Sequence, residues 1–329
     1  MSKILVTGGC GFIGSNFIKM LLETTSDEVV NVDKQTYAGR GKNLEHMGLD
    51  RNPRLKSYLA DICWEEMIDR IFDIERPDMV VHFAAESHVD NSINGPKIFT
   101  RSNVFGTQVL LEAARKYEVE KFLHISTDEV YGSLGKDSPS SLEDDKLDPR
   151  SPYSASKAAA EHLVRAYHET YNLPVLITRS SNNYGPYHFP EKLIPKFVTN
   201  LIQGKKVPLM WSDDNPGLNV RDWLHVEDNC RAIYLVLTKG KIGETYNIAG
   251  ESERTNLEIT KSLLFEFSLG EDMIERVPHR AGHDFRYSID CKRLKDLGFM
   301  HKYKSIENGL KQTIDWYNKN EDWWRPLVK

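Results

Sequence analysis

Cysteine is scarce in this chain, with four residues among 329. They lie far apart, without the paired spacing of a zinc site or a disulfide framework, at Cys10, Cys63, Cys230 and Cys291. The 11 histidines likewise show no spacing typical of metal ligands. We therefore expect no metal ion, and the unpaired cysteines favour a reducing compartment.

Two further features are missing from the sequence. No run of about 18 apolar residues occurs, which excludes a membrane-spanning helix. The net charge of −5 is not gathered into blocks of one sign, which argues against a nucleic-acid partner. The apolar pattern begins at Lys3 with no signal-peptide pattern before it. We therefore expect a cytoplasmic location and neither a membrane nor a nucleic-acid partner.

What is present is a regular alternation of apolar and amphipathic segments. Strands are predicted at 3–7, 29–33, 55–59, 79–83, 121–125 and 174–178, and helices up to about residue 22 and at 64–75, 96–117 and 151–171. Such alternation predicts an α/β fold with a doubly wound parallel sheet of Rossmann type. In this fold, ligands bind at the carboxyl ends of the strands.

A glycine-rich turn, Gly8-Gly9-Cys10-Gly11-Phe12-Ile13-Gly14, joins the first predicted strand to the first helix. The glycines permit a tight turn and a close approach of the backbone to a pyrophosphate at the helix N-terminus. Asp33 ends the second strand 19 residues after Gly14, the spacing of a carboxylate that binds the adenosine ribose. A carboxylate bonds a free 2′-hydroxyl and repels a 2′-phosphate, so the pattern predicts NAD rather than NADP.

The alternation changes after residue 178, where the chain becomes irregular and rich in Asn, Pro, Tyr and Gly. We therefore predict an NAD-binding Rossmann-type domain at 1–180, to which residues 219–248 return. Residues 181–218 and 249–329 are predicted to form a smaller C-terminal substrate-binding lobe.

A hydroxyl and two acids, Thr127, Asp128 and Glu129, follow the fifth predicted strand. Tyr153 and Lys157 lie four residues apart, on one face of the predicted helix 151–171. An ammonium beside a phenol lowers the phenol pKa, so Tyr153 could take a proton from a sugar hydroxyl during hydride transfer to NAD. These five residues are the predicted catalytic group, although oxidation alone leaves the two acids without a role.

Several stretches resemble the extended short-chain dehydrogenase/reductase family. The glycine turn and the Tyr153-x-x-x-Lys157 pattern carry the general resemblance. Residues 83–90, 126–132, 181–195 and 219–223 are similar to the nucleotide-sugar 4,6-dehydratases of that family, and most closely to those acting on dTDP-glucose. The Thr-Asp-Glu triplet is the most specific element, because epimerases and decarboxylases of the superfamily share the tyrosine and lysine but lack the acid pair.

The resemblance implies a redox-neutral cycle on a nucleotide-linked glucose. Tyr153 would accept the C4 hydroxyl proton while the C4 hydride goes to NAD, and Thr127 would hydrogen-bond the C4 oxygen. Lys157 would tune Tyr153 and hold the nicotinamide ribose. Glu129 would then remove the C5 proton and Asp128 would protonate the departing C6 hydroxyl, after which the hydride returns to C6. The product is a 4-keto-6-deoxy sugar.

The resemblance also implies binding residues, position by position. The cofactor set is Gly8, Gly11, Phe12, Ile13, Gly14, Asp33, Lys34, Asp61, Ile62, Ala84, Ala85, Glu86, Ser87, Ser102, Tyr153, Lys157 and Asn183. The substrate set is Ser87, Thr127, Asp128, Glu129, Asn182, Lys192, Leu193, Pro208, Met210, Arg221, Asn247, Arg280 and His283. Arg221 and Arg280 suit a diphosphate clamp. The family further implies a homodimer through the helices 96–117 and 151–171.

The sequence departs from the family pattern near the expected nucleotide base. Met210-Trp211 replaces the usual Tyr-Gly pair, the following loop is longer, and His279 replaces the usual aspartate. The base therefore stays open between dTDP, UDP and CDP. Two other functions also stay open: a UDP-sugar 4-epimerase or decarboxylase, which would leave Asp128 and Glu129 without work, and a non-catalytic NAD-sensing regulator.

Overall fold

A parallel seven-stranded sheet organises the described part of the chain, which in this computed structural model comprises residues 1–280 and 282–328. The strand order is β10-β6-β5-β4-β1-β2-β3. The strands are β1 (Lys3–Thr7), β2 (Glu28–Asp33), β3 (Leu55–Leu59), β4 (Met79–His82), β5 (Lys121–Thr127), β6 (Val175–Ser180) and β10 (Thr245–Ile248). The order reverses between β1 and β4, which creates the crevice where doubly wound sheets bind ligands. The predicted fold class is confirmed.

Two small sheets lie outside the central one. Strand β9 (Val220–His225) pairs in parallel with β7 (Asn182–Tyr184) and antiparallel with β11 (Glu253–Thr255). Strand β8 (Val207–Met210) pairs in parallel with β12 (Ile274–Val277). Within the segment 219–248, β9 thus belongs to a small sheet, whereas β10 joins the central one. The division into domains stays a prediction.

The described ranges contain helices on both faces of the central sheet and helices that pack apart from it. They are α1 (Phe12–Thr24), α2 (Lys42–His46), α3 (Glu65–Glu75), α4 (Val89–Asn94), α5 (Pro96–Phe99), α6 (Gly106–Lys116), α7 (Pro152–Tyr171), α8 (Leu193–Ile202), α9 (Val226–Lys239), α10 (Asn256–Glu266), α11 (Lys292–Asp296), α12 (Ile306–Lys319) and α13 (Glu321–Trp324). Helices α1 and α9 pack on one face, and α3, α6 and α7 on the other. No helix in the described ranges combines the length and apolar character needed to span a bilayer.

The described ranges contain three large apolar cores and a small fourth one formed by Val89, Phe99 and Tyr153. Alternate side chains of β1 go to opposite faces, so Ile4 packs with α1 and α9 while Leu5 packs with α3, α6 and α7. A third core joins α8, α10 and α12 and contains the fully buried Trp324. These helices therefore have an apolar core of their own.

The predicted helix 96–117 contains a π-helical turn at Thr100–Phe105 between α5 and α6. The wider turn places Asn103 inward, where its side chain accepts from the Glu86 N–H at 2.8 Å and donates to the Glu86 carbonyl at 3.0 Å. Asn103 also donates to Ser156 Oγ at 2.8 Å. Such π turns often occur at functional sites, and this one ties the loop after β4 to α7.

Candidate active site

The glycine turn forms a cradle that side chains would fill. Gly8 has φ +72°, and a Cβ there would lie 2.7 Å from the Ala84 nitrogen. A Cβ on Gly14 would lie 2.3 Å from the Gly8 carbonyl oxygen. Gly11 caps α1 without a side-chain hydrogen bond, so the first backbone N–H groups of the helix stay open. These features fit a dinucleotide pyrophosphate.

Asp33 and its neighbours form the ribose end of the cleft. The Asp33 carboxylate accepts from the Cys10 N–H at 2.9 Å and from the Gln35 N–H at 2.7 Å. Lys34 donates to Glu86 at 2.9 Å and to Ser102 at 3.1 Å. Lys34 is thus already paired with Glu86, and the Asp33 carboxylate would repel a 2′-phosphate. The residues fit NAD better than NADP.

Thr127, Asp128 and Glu129, the triplet predicted to be catalytic, lie at the end of β5, where a 3₁₀ turn begins. Thr127 caps this turn, accepting from the Glu129 N–H at 3.3 Å and donating to Asp128 at 3.2 Å. The second carboxylate oxygen of Asp128 is buried and has no hydrogen-bond partner among the described residues. It is thus available to a ligand in the cleft.

The two acids have different electrostatic surroundings. Burial, and next the charge of Glu129, raise the pKa of Asp128 well above its ordinary value. Burial also raises the pKa of Glu129, but three cations oppose the rise; they are Lys192, Arg280 and Arg221. Burial and the neighbouring charge therefore favour the acid form of Asp128, whereas the cations favour the ionised form of Glu129.

Tyr153 and Lys157 lie on one face of α7, which begins with a capping box formed by Ser151 and Ser154. Burial, and next the charge of Glu129, raise the pKa of Tyr153, whereas a hydrogen bond with Thr127 lowers it. The sequence-based expectation that Lys157 lowers this pKa is not met. Lys157 instead donates to the Ile125 carbonyl at 2.6 Å.

The substrate end of the cleft contains the three cations that oppose the rise in Glu129 pKa. Arg221 is 5% exposed, donates to the Asp284 carbonyl at 3.0 Å and lies over the Tyr287 ring at 4.4 Å. Arg280 faces Asp90 at 3.5 Å. Lys192 donates to the Ser87 carbonyl at 3.2 Å. A negatively charged ligand would therefore meet cations that are already placed by protein contacts.

One cleft of about 520 Å³ brings nearly all predicted site residues together. They include the five catalytic residues and these binding residues: Gly8, Gly11, Phe12, Ile13, Gly14, Asp33, Lys34, Ile62, Ala84, Ala85, Glu86, Ser87, Ser102, Asn182, Asn183, Lys192, Leu193, Pro208, Met210, Arg221, Arg280 and His283. Asp61 and Asn247 do not line it. Asp61 accepts from the Cys63 N–H at 2.9 Å and closes a turn.

Asn247 was predicted to bind substrate, and the structure places it elsewhere. It is fully buried on β10, behind the catalytic turn. Its side-chain oxygen accepts from the Tyr131 hydroxyl at 2.8 Å, and its amide donates to the Ser141 carbonyl at 3.1 Å. Because both polar ends are used inside the protein, Asn247 supports the turn that carries Asp128 and Glu129.

Several cleft residues were missed by the sequence reasoning. They are, among others, Tyr37, His88, Asp90, Glu191, Asn256 and Tyr287. Asp90 closes the stretch 83–90 that carried the resemblance, so its position was a usable signal. Tyr287 had no such signal, because only the fold brings its ring under Arg221. No cluster of three or more His, Cys, Asp or Glu within the described ranges is arranged to hold a metal ion.

Known proteins are similar to this chain in sequence. The family model described as GDP-mannose 4,6 dehydratase matches residues 5–313. The dTDP-glucose 4,6-dehydratase of Neisseria meningitidis serogroup B is 47% identical, over 100% of this chain and 96% of the relative. The Escherichia coli protein of the same name is also 47% identical, over 99% of this chain and 96% of the relative.

Solved structures agree in fold. DesIV, a dTDP-glucose 4,6-dehydratase from Streptomyces venezuelae with NAD bound, has a TM-score of 0.93 and 47% identity, covering 99% of this chain and 100% of that one. A UDP-glucose 4-epimerase from Thermotoga maritima has a TM-score of 0.88 and 32% identity, covering 97% and 99%. The family match over most of the chain, together with the shared fold, shows that this chain belongs to the family described as GDP-mannose 4,6 dehydratase.

Proposed function

We propose that this protein is an NAD-dependent dTDP-glucose 4,6-dehydratase that forms the 4-keto-6-deoxy sugar still attached to its nucleotide. The observation that carries the proposal is the acid pair beside Tyr153: Asp128 is held as an acid, and Glu129 is surrounded by cations. The resemblance to proteins of that name supports it. An epimerase of the same fold needs no such pair, so the pair rather than the fold favours dehydration.

The residues of the cleft divide the chemistry between them. When bound, NAD supplies an acceptor for the C4 hydride and returns it to C6, so the cycle has no net redox change. Tyr153 accepts the C4 hydroxyl proton, and Thr127 hydrogen-bonds the C4 oxygen. The resulting ketone acidifies the C5 proton, which Glu129 removes. Asp128 donates its proton to the C6 hydroxyl, and the C6–O bond breaks to release water. As the hydride returns to C6, Glu129 would give its proton back to C5, which completes the 4-keto-6-deoxy sugar.

In the protein without ligands, the phenol of Tyr153 does not favour the ionised form that a base requires. Burial, and next the charge of Glu129, raise the pKa of the phenol, so proton transfer to it as a phenolate requires a counteracting positive charge. Lys157, one helical turn away, is the cation of the chain nearest in sequence on that face. We infer that Lys157 acts on Tyr153 in the loaded cleft and also contacts the nicotinamide ribose.

The smaller lobe, residues 181–218 and 249–329, is proposed to hold the nucleotide sugar. Arg221 and Arg280 suit the diphosphate because guanidinium groups bind phosphate oxygens in pairs. Pro208 and Met210 line the cleft at the end expected to hold the base. Trp211, the second departure from the family pattern, lies under the Arg276 guanidinium at 4.3 Å. Thymine is the first choice because the similar proteins are dTDP-glucose 4,6-dehydratases, and UDP-glucose and CDP-glucose are the alternatives.

Incubation with dTDP-glucose, UDP-glucose and CDP-glucose tests the function and the base together. We expect dTDP-glucose to give a 4-keto-6-deoxy product without net accumulation of reduced cofactor. The same product from UDP-glucose or CDP-glucose alone would reassign the base. A galactose epimer would instead indicate a 4-epimerase, and the absence of turnover on all three would favour an NAD-sensing role.

A homodimer and a cytoplasmic location complete the proposal. Apolar side chains on the two proposed interface helices are exposed in the single chain, among them Ile98 at 42%, Phe105 at 39% and Tyr171 at 48%. Burial of these residues against a second copy would remove apolar surface from water. Light scattering of the parent and of Phe105→Asp tests this: the parent should be dimeric and the variant monomeric. The four buried, unpaired cysteines suit a reducing cytoplasm.

A further inference from the structure

Two buried histidines face each other at the centre of the sheet, and the proposed chemistry uses neither. His82 on β4 and His124 on β5 are paired in register, with ring centroids 5.3 Å apart. Their exposed fractions are 1% and 0%. A histidine in a buried strand needs hydrogen-bond partners for both ring nitrogens. The partners of His82 and His124 therefore indicate the role of each ring.

Both ring nitrogens of His82 are satisfied by threonine hydroxyls. Thr107 donates to the Asn103 carbonyl at 2.6 Å, so its oxygen must accept from His82 Nε2 at 2.9 Å. Nδ1 then accepts from the Thr7 hydroxyl at 2.7 Å. His82 is therefore a neutral ring with a fixed tautomer, and this network explains its presence as a structural residue.

The ring nitrogens of His124 are not satisfied in this way. Its Nε2 lies 3.5 Å from Lys157 Nζ, and its Nδ1 has no partner among the described residues. A lysine ammonium can only donate, so Nε2 must accept and the ring proton must lie on Nδ1. That proton is buried without an acceptor, which destabilises the fold relative to an apolar side chain. The contact with Lys157 is the one compensating feature of the ring.

The other charged groups around Lys157 do not replace this contact. Glu161 follows one turn later on α7, but Arg179 on β6 holds its carboxylate through bonds of 2.6 Å and 3.1 Å. Tyr153 precedes by one turn, and His82 is neutral and bonded elsewhere. The direct hydrogen bonds of Lys157 Nζ among the described residues are therefore those to the Ile125 carbonyl and to His124.

We propose that His124 is a positioning residue for Lys157: its neutral imidazole accepts from the ammonium and, with the Ile125 carbonyl, holds it on the Tyr153 face of α7. This inference rests on the function proposed above, since it concerns the same site. Burial already lowers the pKa of Lys157 to about 8, so the charge of this lysine responds readily to the loss of one acceptor. Loss of the acceptor destabilises the ammonium and lowers the pKa further.

Three replacements of His124 distinguish the effect of a hydrogen-bond acceptor near Lys157 from the effect of filling the buried space. Gln places an amide oxygen near the position of Nε2, whereas Asn is one methylene shorter and reaches only the position of Nδ1. Leu fills similar space without an acceptor. His82→Gln is the matched control, because it changes the neighbouring buried histidine that does not contact Lys157.

The first measurement is the titration of Lys157 in protein carrying ¹³C-labelled lysine, followed by NMR without substrate and assigned with Lys157→Met. We expect His124→Asn and His124→Leu to lower the Lys157 pKa by about one unit, since a hydrogen bond to a charged group is lost. His124→Gln and His82→Gln should keep the parental value. If Leu does not fold, the comparison of Gln with Asn still decides.

The second measurement is the pH profile of the oxidation step in a single turnover. Its alkaline limb should move to lower pH in the Asn variant and return in the Gln variant. An unchanged Lys157 titration in Asn and Leu, or equal shifts in Gln and Asn, would overturn the positioning role. If the proposed function is wrong, the parent protein would show no turnover, whereas the Lys157 titrations could still be measured.

Discussion

Replacement of Glu129 by glutamine should separate oxidation from elimination. Glutamine keeps the size of the side chain and its place after Thr127, but it cannot accept the C5 proton. Removal of a positioned general base costs about 10²–10⁴-fold in rate, or about 3–5 kcal/mol in the barrier. We therefore expect turnover of dTDP-glucose to fall by roughly that factor.

The oxidation step should survive the same change. The charge of Glu129 is the second cause, after burial, of the raised pKa of Tyr153. Glutamine removes that charge, so deprotonation of the phenol becomes easier rather than harder. The pKa of Asp128 should also fall, because Glu129 is the largest electrostatic contribution to its rise after burial. Burial still favours the acid form, so Asp128 remains protonated more readily than an exposed aspartate.

Stopped-flow absorbance of reduced nicotinamide under single-turnover conditions measures the outcome. The parent should show a transient signal, whereas Glu129→Gln should accumulate it at a similar initial rate and then retain it. Glu266→Gln, an exposed acid on α10, is the matched control and should behave as the parent. Parental turnover by Glu129→Gln, or a complete absence of the oxidation signal, would refute the assignment of the C5 base.

Three further predictions concern stability and cofactor binding. In urea titrations, Asp128→Asn should raise the free energy of unfolding at alkaline pH but not at acidic pH. The pKa of Asp128 is raised in the folded protein, so this carboxyl group stabilises the fold at low pH. That stabilisation is lost as the pH rises through the pKa of the folded state. Glu161→Gln leaves Arg179 buried without its partner and should cost about 3–5 kcal/mol, whereas the exposed Glu23→Gln should cost less than about 1 kcal/mol. Gly14→Ala should weaken NAD binding in calorimetry by at least about tenfold, since its Cβ would meet the Gly8 carbonyl, while Gly95→Ala, which has only ordinary contacts, should not.

Local spacing accounts for what could be predicted about the site. Gly8 to Gly14 and Asp33 are close in sequence and lie at the ends of neighbouring strands, so their arrangement follows from the strand-turn-helix pattern. Tyr153 and Lys157 share a face because they are four residues apart on a helix. The acid pair follows β5 directly, which puts it at the edge of the sheet where ligands bind.

Contacts between distant segments account for what could not be predicted. Asn247 matched the resemblance, yet β10 lies beside β6 and its side chain is bonded to Tyr131 and Ser141. Lys157 was expected to lower the pKa of Tyr153. In the structure its ammonium instead contacts the Ile125 carbonyl and His124.

The sequence by itself determined the fold class, the cofactor turn and the proposed catalytic side chains, because each depends on residues within one strand, turn or helix. Only the tertiary structure supplied a physical reason for the acid and base roles that the resemblance implied for Asp128 and Glu129. Both acids sit on the same turn, and their difference arises from cations on three other segments, at Lys192, Arg221 and Arg280. Electrostatic energies depend on distance and burial in space, and neither is encoded in the spacing of two adjacent residues.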